Sequence, residues 1–270
     1  MALPAPSKQS VAMITGASSG IGAEFARQLA GRGHGVFLVA RREDRLRELA
    51  AELEREHGVK AEFATCDLAD AAARRSLVAD VRERGRDVEI LVNNAGFSTV
   101  GDVHENPDRQ LGMIEVNIEA LVDLTTAFLP AMVERGRGAV IQVASTAAFQ
   151  PIPVQATYAA TKAFVRSFAE SVATELKGTG VTMTTLCPGP VATEFVEAAG
   201  FRKQADEIGP SMLWANAADV ASCGIEAAEK GKRLVVHGLG NRAVATAASY
   251  SPRFLVLGPM ASMYRRTIGE

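Results

Sequence analysis

Tyr158 and Lys162 stand four residues apart, a spacing that puts both side chains on one face of a helix. A phenol titrates at about 10 in water and is a poor acid–base group near neutrality. A nearby ammonium favours the phenolate and draws that value toward the working range. Tyr-x-x-x-Lys is a frequent chance spacing, so its neighbours decide its meaning. Ser145 follows the apolar run Gly138–Ala144, where its hydroxyl can hydrogen-bond a substrate carbonyl; the alternative is a loop or cap residue. Asn117 lies in a long helical stretch upstream. It can hold a water linking Lys162 to solvent; the alternative is a surface helix position. Together the four suit proton transfer at a substrate oxygen.

A second group of residues suits a dinucleotide. Thr15-Gly-Ala-Ser-Ser-Gly-Ile-Gly22 follows the first apolar run. Gly16 permits a tight turn, Gly20 lets backbone approach a pyrophosphate, and Gly22 allows close helix–strand packing. Ser18, Ser19 and Ile21 complete a turn whose helix N-terminus offers unpaired N–H groups to phosphates. Dinucleotide-binding chains that prefer NAD place an acid about 20 residues past the glycines. Here that place holds Ala40, then Arg41 and Arg42. A guanidinium pairs well with phosphate, so Arg41 is a candidate ligand for the 2′-phosphate of NADP(H), with Arg42 second. The alternative is that both decorate a charged helix start. Asp67 closes the third apolar run, placed either to accept from an adenine amino group or to cap the next helix. Asn94, Ala95 and Gly96, after Asn93, supply small residues and amides where adenine and ribose should lie.

These residues need elements that carry them to one place. Short β-type runs at Val11–Thr15, Gly35–Ala40, Lys60–Cys66, Val88–Val92, Gly138–Ala144, Val181–Cys187 and Arg233–His237 alternate with helical patterns. The helices read as Glu43–His57, one from about Asp70, Pro107–Glu134, Ala156–Lys177 and Asn216–Lys230. Near-continuous apolar strands between helices imply a parallel sheet covered on both faces. The expectation is one α/β domain over residues 1–270, a doubly wound Rossmann-type parallel sheet of about seven strands with helices on both faces. In such sheets ligands bind at the carboxyl ends of the strands, which is where the chemical residues stand.

Composition narrows the class. The 270 residues are 47% hydrophobic and 22% charged with a net charge of -2, so nothing in the balance points to nucleic acid. Three cysteines and four histidines lie scattered, which argues against a disulfide framework or a metal centre. The N-terminus lacks the pattern of a signal peptide, and no uninterrupted apolar run is long enough to span a bilayer. The cytoplasm is the expected location.

Taken together, Thr15–Gly22, Asn93-Asn-Ala-Gly96, Asn117, Ser145, Tyr158-Ala-Ala-Thr-Lys162 and Pro188-Gly189 resemble the short-chain dehydrogenase/reductase family over nearly the whole chain. The resemblance implies that Tyr158 is the general acid/base and Ser145 orients the carbonyl. It implies that Lys162 binds the nicotinamide ribose and tunes the tyrosine, while Asn117 supports a proton relay. Within Pro188-Gly-Pro-Val-Ala-Thr193, it places Pro188, Gly189, Val191 and Thr193 at the cofactor, Thr193 on the carboxamide or an adjacent phosphate. The spelling Val39-Ala-Arg-Arg42 resembles the NADP-using members.

The implied activity is NADPH-dependent reduction of a ketone on a hydrophobic substrate, long-chain 3-oxoacyl and steroid-like compounds among them. The rivals are an NADP-dependent alcohol dehydrogenase working oxidatively and a non-catalytic NADP(H)-binding sensor or scaffold. Residues 190–215, with Phe195, Val196, Phe201, Met212 and Trp214, read as a substrate lid. The tail 238–270 reads either as core or subunit packing or as a weak membrane-surface contact through Phe254–Met260 and its flanking arginines. The family commonly forms dimers or tetramers, and Ala156, Ala159, Ala160 and Ala163 would permit close helix packing between copies.

Overall fold

The computed structural model describes residues 3–200 and 211–268; Phe201 of the expected lid lies outside them. Seven strands form the sheet: β1 (Ser10–Thr15), β2 (Gly35–Ala40), β3 (Ala61–Thr65), β4 (Asp87–Asn93), β5 (Gly138–Val143), β6 (Val181–Cys187) and β7 (Leu234–Val236). All pairings are parallel, in the order β3-β2-β1-β4-β5-β6-β7. The chain winds outward from β1 to β3, then returns to add β4 on the other side of β1. The carboxyl ends of β1 and β4 therefore flank the switch in winding direction, where a crevice forms.

The helices follow the apolar periodicity: α1 (Gly20–Ala30), α2 (Glu43–His57), α3 (Ala71–Glu83), α4 (Pro107–Ile114), α5 (Ala120–Glu134), α6 (Ala156–Glu175), α7 (Glu194–Ala198) and α8 (Ala217–Glu229). Alternate residues of one strand serve opposite faces. Ala12 and Ile14 pack with Phe25, Leu29, Leu49 and Ile225 from α1, α2 and α8. Val11 and Met13 pack with Leu77, Leu124, Phe128 and Ala169 from α3, α5 and α6. Each face is thus dry, which parallel strands require.

Two features differ from the sequence reading, and a third adds to it. The stretch read as one helix from Pro107 to Glu134 contains a π turn at Glu115–Glu119, and this turn holds Asn117. That 28-residue stretch is long and apolar enough to cross a membrane by composition; Leu121, Leu124, Phe128 and Met132 spend its apolarity on the core. The tail forms two helices, α9 (Leu239–Tyr250) and α10 (Arg253–Ile268). Ala159, expected on an intersubunit face, is 3% exposed and packs within the chain against Ala147 and Ile152.

One buried cation ties the β3–α3 connection to the rest. Arg74, 4% exposed, donates to the carbonyls of Leu68 (2.8 Å) and Ala69 (3.2 Å) and to Asp123 of α5 (2.7 Å). Removing it strands these acceptors. Arg74→Met should lower the unfolding free energy by about 2–4 kcal/mol, read by urea denaturation. A loss below about 0.5 kcal/mol would show that the connection is held by other contacts.

Candidate active site

The glycine-rich turn leaves β1 with positive φ at Gly16 (67°) and Gly20 (55°), which L-residues with side chains resist. Gly22 is held by proximity: a Cβ there would collide with the Gly16 carbonyl and the Asn94 amide. Ser19 precedes α1 in extended conformation without a side-chain capping bond, so the first-turn amides of α1 are left for a ligand. The Thr15 hydroxyl clamps the two strand ends. It donates to the Val92 carbonyl (3.3 Å) and accepts from the backbone N–H groups of Asn94 and Ala95 (both 3.0 Å). The Asn94 side chain donates to the Thr15 carbonyl at 2.9 Å. Asn93 turns the other way, into the core, and donates to Thr125 at 3.0 Å.

Lys162 sits beneath this edge. It is 5% exposed, and its Nζ donates to the carbonyl of Val143, the last residue of β5, at 2.9 Å. Burial pushes the amine down from 10.5 to about 8, because the low-dielectric surroundings disfavour the charged form. Its Nζ lies 5.8 Å from the centre of the Tyr158 ring, confirming that the helical spacing presents both residues to one region. Gly96 leaves the necessary room: a Cβ there would stand 2.9 Å from Asn117 Oδ1 and 3.4 Å from Lys162 Nζ.

Asn117 is 1% exposed, which removes the surface-helix alternative. Its Oδ1 accepts from the Phe97 N–H (3.0 Å), and its Nδ2 donates to the Phe97 carbonyl (3.0 Å) and to Thr161 Oγ1 (3.1 Å). The amide thereby braces the β4 exit against α6. Ser145 caps a 3₁₀ turn, Thr146–Phe149, accepting from the Ala147 N–H at 3.1 Å. The cap alternative therefore holds for Ser145, and the residue still lines the cavity.

A continuous cavity of about 1280 Å³ runs along the sheet edge. It is larger than a typical small-ligand pocket of about 300–1,000 Å³. Gly16, Ser18, Ser19, Gly20 and Ile21 line one end, with Arg41, Arg42 and Asp67 beside them. Asn94, Ala95, Gly96, Ser145, Tyr158 and Lys162 line the middle, followed by Pro188, Gly189, Val191 and Thr193. Among the expected site residues, Gly22 and Asn117 stand behind the wall as supports. Asp67 does not cap α3; Asp70 does, accepting from the Ala72 N–H at 2.7 Å. Arg41 makes no hydrogen bond or ion pair among the described residues. Arg42 bonds Ser18 and Ser19 and pairs with Glu194 at 2.8 Å, holding the Glu194 carboxyl below its usual range.

The other end is apolar. Ile152, Phe195, Val196, Leu213, Trp214 and Met260 line it, and the Tyr158 and Phe195 rings meet at 5.8 Å. Asn241, Val244, Ala245 and Ala248 of α9 and Met260 and Ser262 of α10 also contribute. The tail therefore builds a wall of the site. Glu194, Thr161, Gln155 and these tail residues were not read as site residues from the sequence. Thr161 alone had a signal, its place inside Tyr158–Lys162.

The family model described as short chain dehydrogenase matches residues 10–203. The chain belongs to the short-chain dehydrogenase/reductase family. A short chain dehydrogenase of Pseudocercospora fijiensis is 42% identical over 186 residues, which is 68% of this chain and 60% of that relative. The solved short-chain dehydrogenase from Sphingobium yanoikuyae in complex with NADPH is 32% identical, with a TM-score of 0.78 over 89% of this chain and 92% of that one. An actinorhodin polyketide ketoreductase solved with NADPH is 34% identical, with a TM-score of 0.76 over 87% of this chain and 98% of that one. Membership makes the chain an oxidoreductase.

The buried amine imposes a pH signature on this family member. Between about pH 8 and 10.5 the unfolded lysine holds its proton while the folded one has lost it, so stability contributed by this group rises with pH. Below pH 8 both states are charged and the full desolvation penalty applies. The unfolding free energy of the protein minus that of Lys162→Met should therefore rise by about 2–3 kcal/mol from pH 8 to pH 10. A flat difference would show that the ammonium is not desolvated.

Proposed function

We propose that the chain reduces a ketone on a hydrophobic substrate with NADPH. The single observation that carries this reading is the continuous cavity, which joins the glycine-rich turn to Tyr158, Ser145 and Lys162 and then to an apolar wall. The residues fit the cofactor. The open first turn of α1 suits its pyrophosphate, and the end of β2 offers Arg41 and Arg42 in place of a carboxylate. Asp67 and the Asn94–Gly96 segment suit the adenosine side, while Pro188, Gly189, Val191 and Thr193 suit the nicotinamide side. The NADPH in both solved relatives supports the same choice.

When bound, NADPH supplies the hydride. The protein supplies the proton and the electrostatics. Tyr158 Oη gives its proton to the carbonyl oxygen as that oxygen gains charge, and the Ser145 hydroxyl donates a hydrogen bond to the same oxygen. Lys162 holds the nicotinamide-side ribose and, when charged, favours the phenolate that Tyr158 becomes. Asn117 keeps Gly96 and α6 in register so that the amine and phenol stay together. Phe195 and Val196 of α7 act as the lid and, with Met260 of the tail, select an apolar substrate. A 3-oxoacyl compound is the class we favour, on the strength of the polyketide ketoreductase relative.

Tyr158→Phe should lower ketone turnover about 100- to 10,000-fold, followed at the nicotinamide absorbance, while NADPH binding changes less than about threefold. Retained turnover would remove Tyr158 from the chemistry, and cofactor binding without turnover in the unmodified protein would indicate a sensor. Arg41→Ala or Arg42→Ala should weaken NADPH by about 10-fold or more with little effect on NADH. Equal losses for both cofactors would move the 2′-phosphate elsewhere.

A further inference from the structure

Arg42 lies where β2 gives way to α2 and reaches across the mouth of the cofactor groove. Its guanidinium donates to Ser18 Oγ at 3.1 Å and 3.2 Å and to Ser19 Oγ at 2.9 Å. The same group pairs with Glu194 Oε2 at 2.8 Å. These partners belong to different walls. Ser18 and Ser19 come from the glycine-rich turn, and Glu194 opens α7, the helix that carries Phe195 and Val196 over the substrate end. The same two walls also approach closely at Gly20, where a Cβ would stand 3.1 Å from Thr193 Cγ2. Among the described residues lining the cavity, Glu194 and Asp67 are the acids. Glu194 is the one that faces an arginine at the phosphate-binding end.

We propose that Glu194 is a cofactor-specificity residue, an internal anion that holds Arg42 and yields it to the adenosine phosphate of NADPH. A phosphate dianion is a stronger partner for guanidinium than an exposed carboxylate, and like charges at the groove mouth repel. Binding therefore exchanges one anion for another on Arg42 and releases the first residue of α7 from the glycine-rich turn. NADH, with a hydroxyl at that position, drives no such exchange. Glu194 thus lowers affinity for the phosphorylated cofactor and couples its arrival to the segment that covers the substrate. Both side chains are about half exposed, so the effect is modest and sensitive to salt.

This inference rests on placing the 2′-phosphate beside Arg41 and Arg42. The test is titration of the purified full chain with NADPH and NADH, by nicotinamide fluorescence, for the unmodified protein, Glu194→Gln, Glu194→Asp, Arg42→Ala and the Arg42→Ala/Glu194→Gln double variant. Glu194→Gln should tighten NADPH about three- to sixfold and shift NADH less than 1.5-fold (roughly the noise of such a titration, well inside the tenfold span of 1.4 kcal/mol). Glu194→Asp keeps the charge and should stay near the unmodified protein. The gain should shrink in 0.5 M salt (roughly a 4–5 Å screening length) and in the Arg42→Ala background. Equal effects of Glu194→Gln on both cofactors, or weaker NADPH binding, would overturn the role of Glu194. Arg42→Ala without selective loss of NADPH would instead show that the phosphate placement itself is wrong.

Discussion

A lysine ammonium buried under the carboxyl edge of a parallel sheet is a costly arrangement, and the site is organised around it. Desolvation penalises the charge, and the Val143 carbonyl is the fixed acceptor that repays part of that cost. The carbonyl is available because β5 ends there, while its neighbours along the strand are used in the sheet. The amine reaches it because α6 crosses the edge with Lys162 pointing inward, next to a glycine that leaves room. Tyr158, one helical turn earlier, is then carried to the same cavity. Its position follows from that of the lysine.

Around this point the polar groups divide into those that line the cavity and those that hold its walls. Thr15 and Asn94 lock β1 to β4 at the winding switch, and Asn117 locks the β4 exit to α6. The π turn that presents Asn117 belongs with them, since such turns aim side chains that a regular helix would direct elsewhere. Just before α6, Val154 has a φ of 58°, an unfavourable conformation for a β-branched residue. Its carbonyl accepts from the Gly101 N–H at 3.0 Å. The next residue, Gln155, donates to Ser98 at 2.9 Å. Strain at this corner is held by bonds to the segment after β4, so the start of α6 and the loop opposite it are set together.

The two ends of the cavity are built on different physical terms. The cofactor end is made of backbone amides, hydroxyls and arginines on rigid strand exits. The substrate end is made of apolar side chains from α7, α9 and α10. The tail helices belong to the second kind. Ala245 and Ala248 join Cys187 and Phe149 in a small core, and Met260, like Tyr158, packs against the cluster of Ala147, Ile152 and Ala159. Arg265 of α10 pairs with Asp102 at 3.2 Å, which ties the end of the tail to the loop after β4.

Strand and helix periodicity, the glycine turn, the arginines after β2 and the Tyr158–Lys162 spacing are local patterns, and each was legible from the residues alone. Periodicity predicts which face is buried, and a βα turn predicts its own backbone, because neighbours in sequence are neighbours in space. Ser145 and Asn117 were legible as candidates from their place after β5 and in the long helical stretch before it, but their bonding was not. Whether Asn117 faces solvent or braces Phe97, whether Asp67 or Asp70 caps α3, and which arginine meets Glu194 depend on segments far apart in the chain. The same holds for the tail, whose apolar residues carry no mark of the wall they form. The sequence alone determined the parallel doubly wound sheet and the residue types at its carboxyl edge. Only the tertiary structure decided which of them touch, because those contacts join residues separated by tens of positions and exist only once the sheet has brought them to one edge.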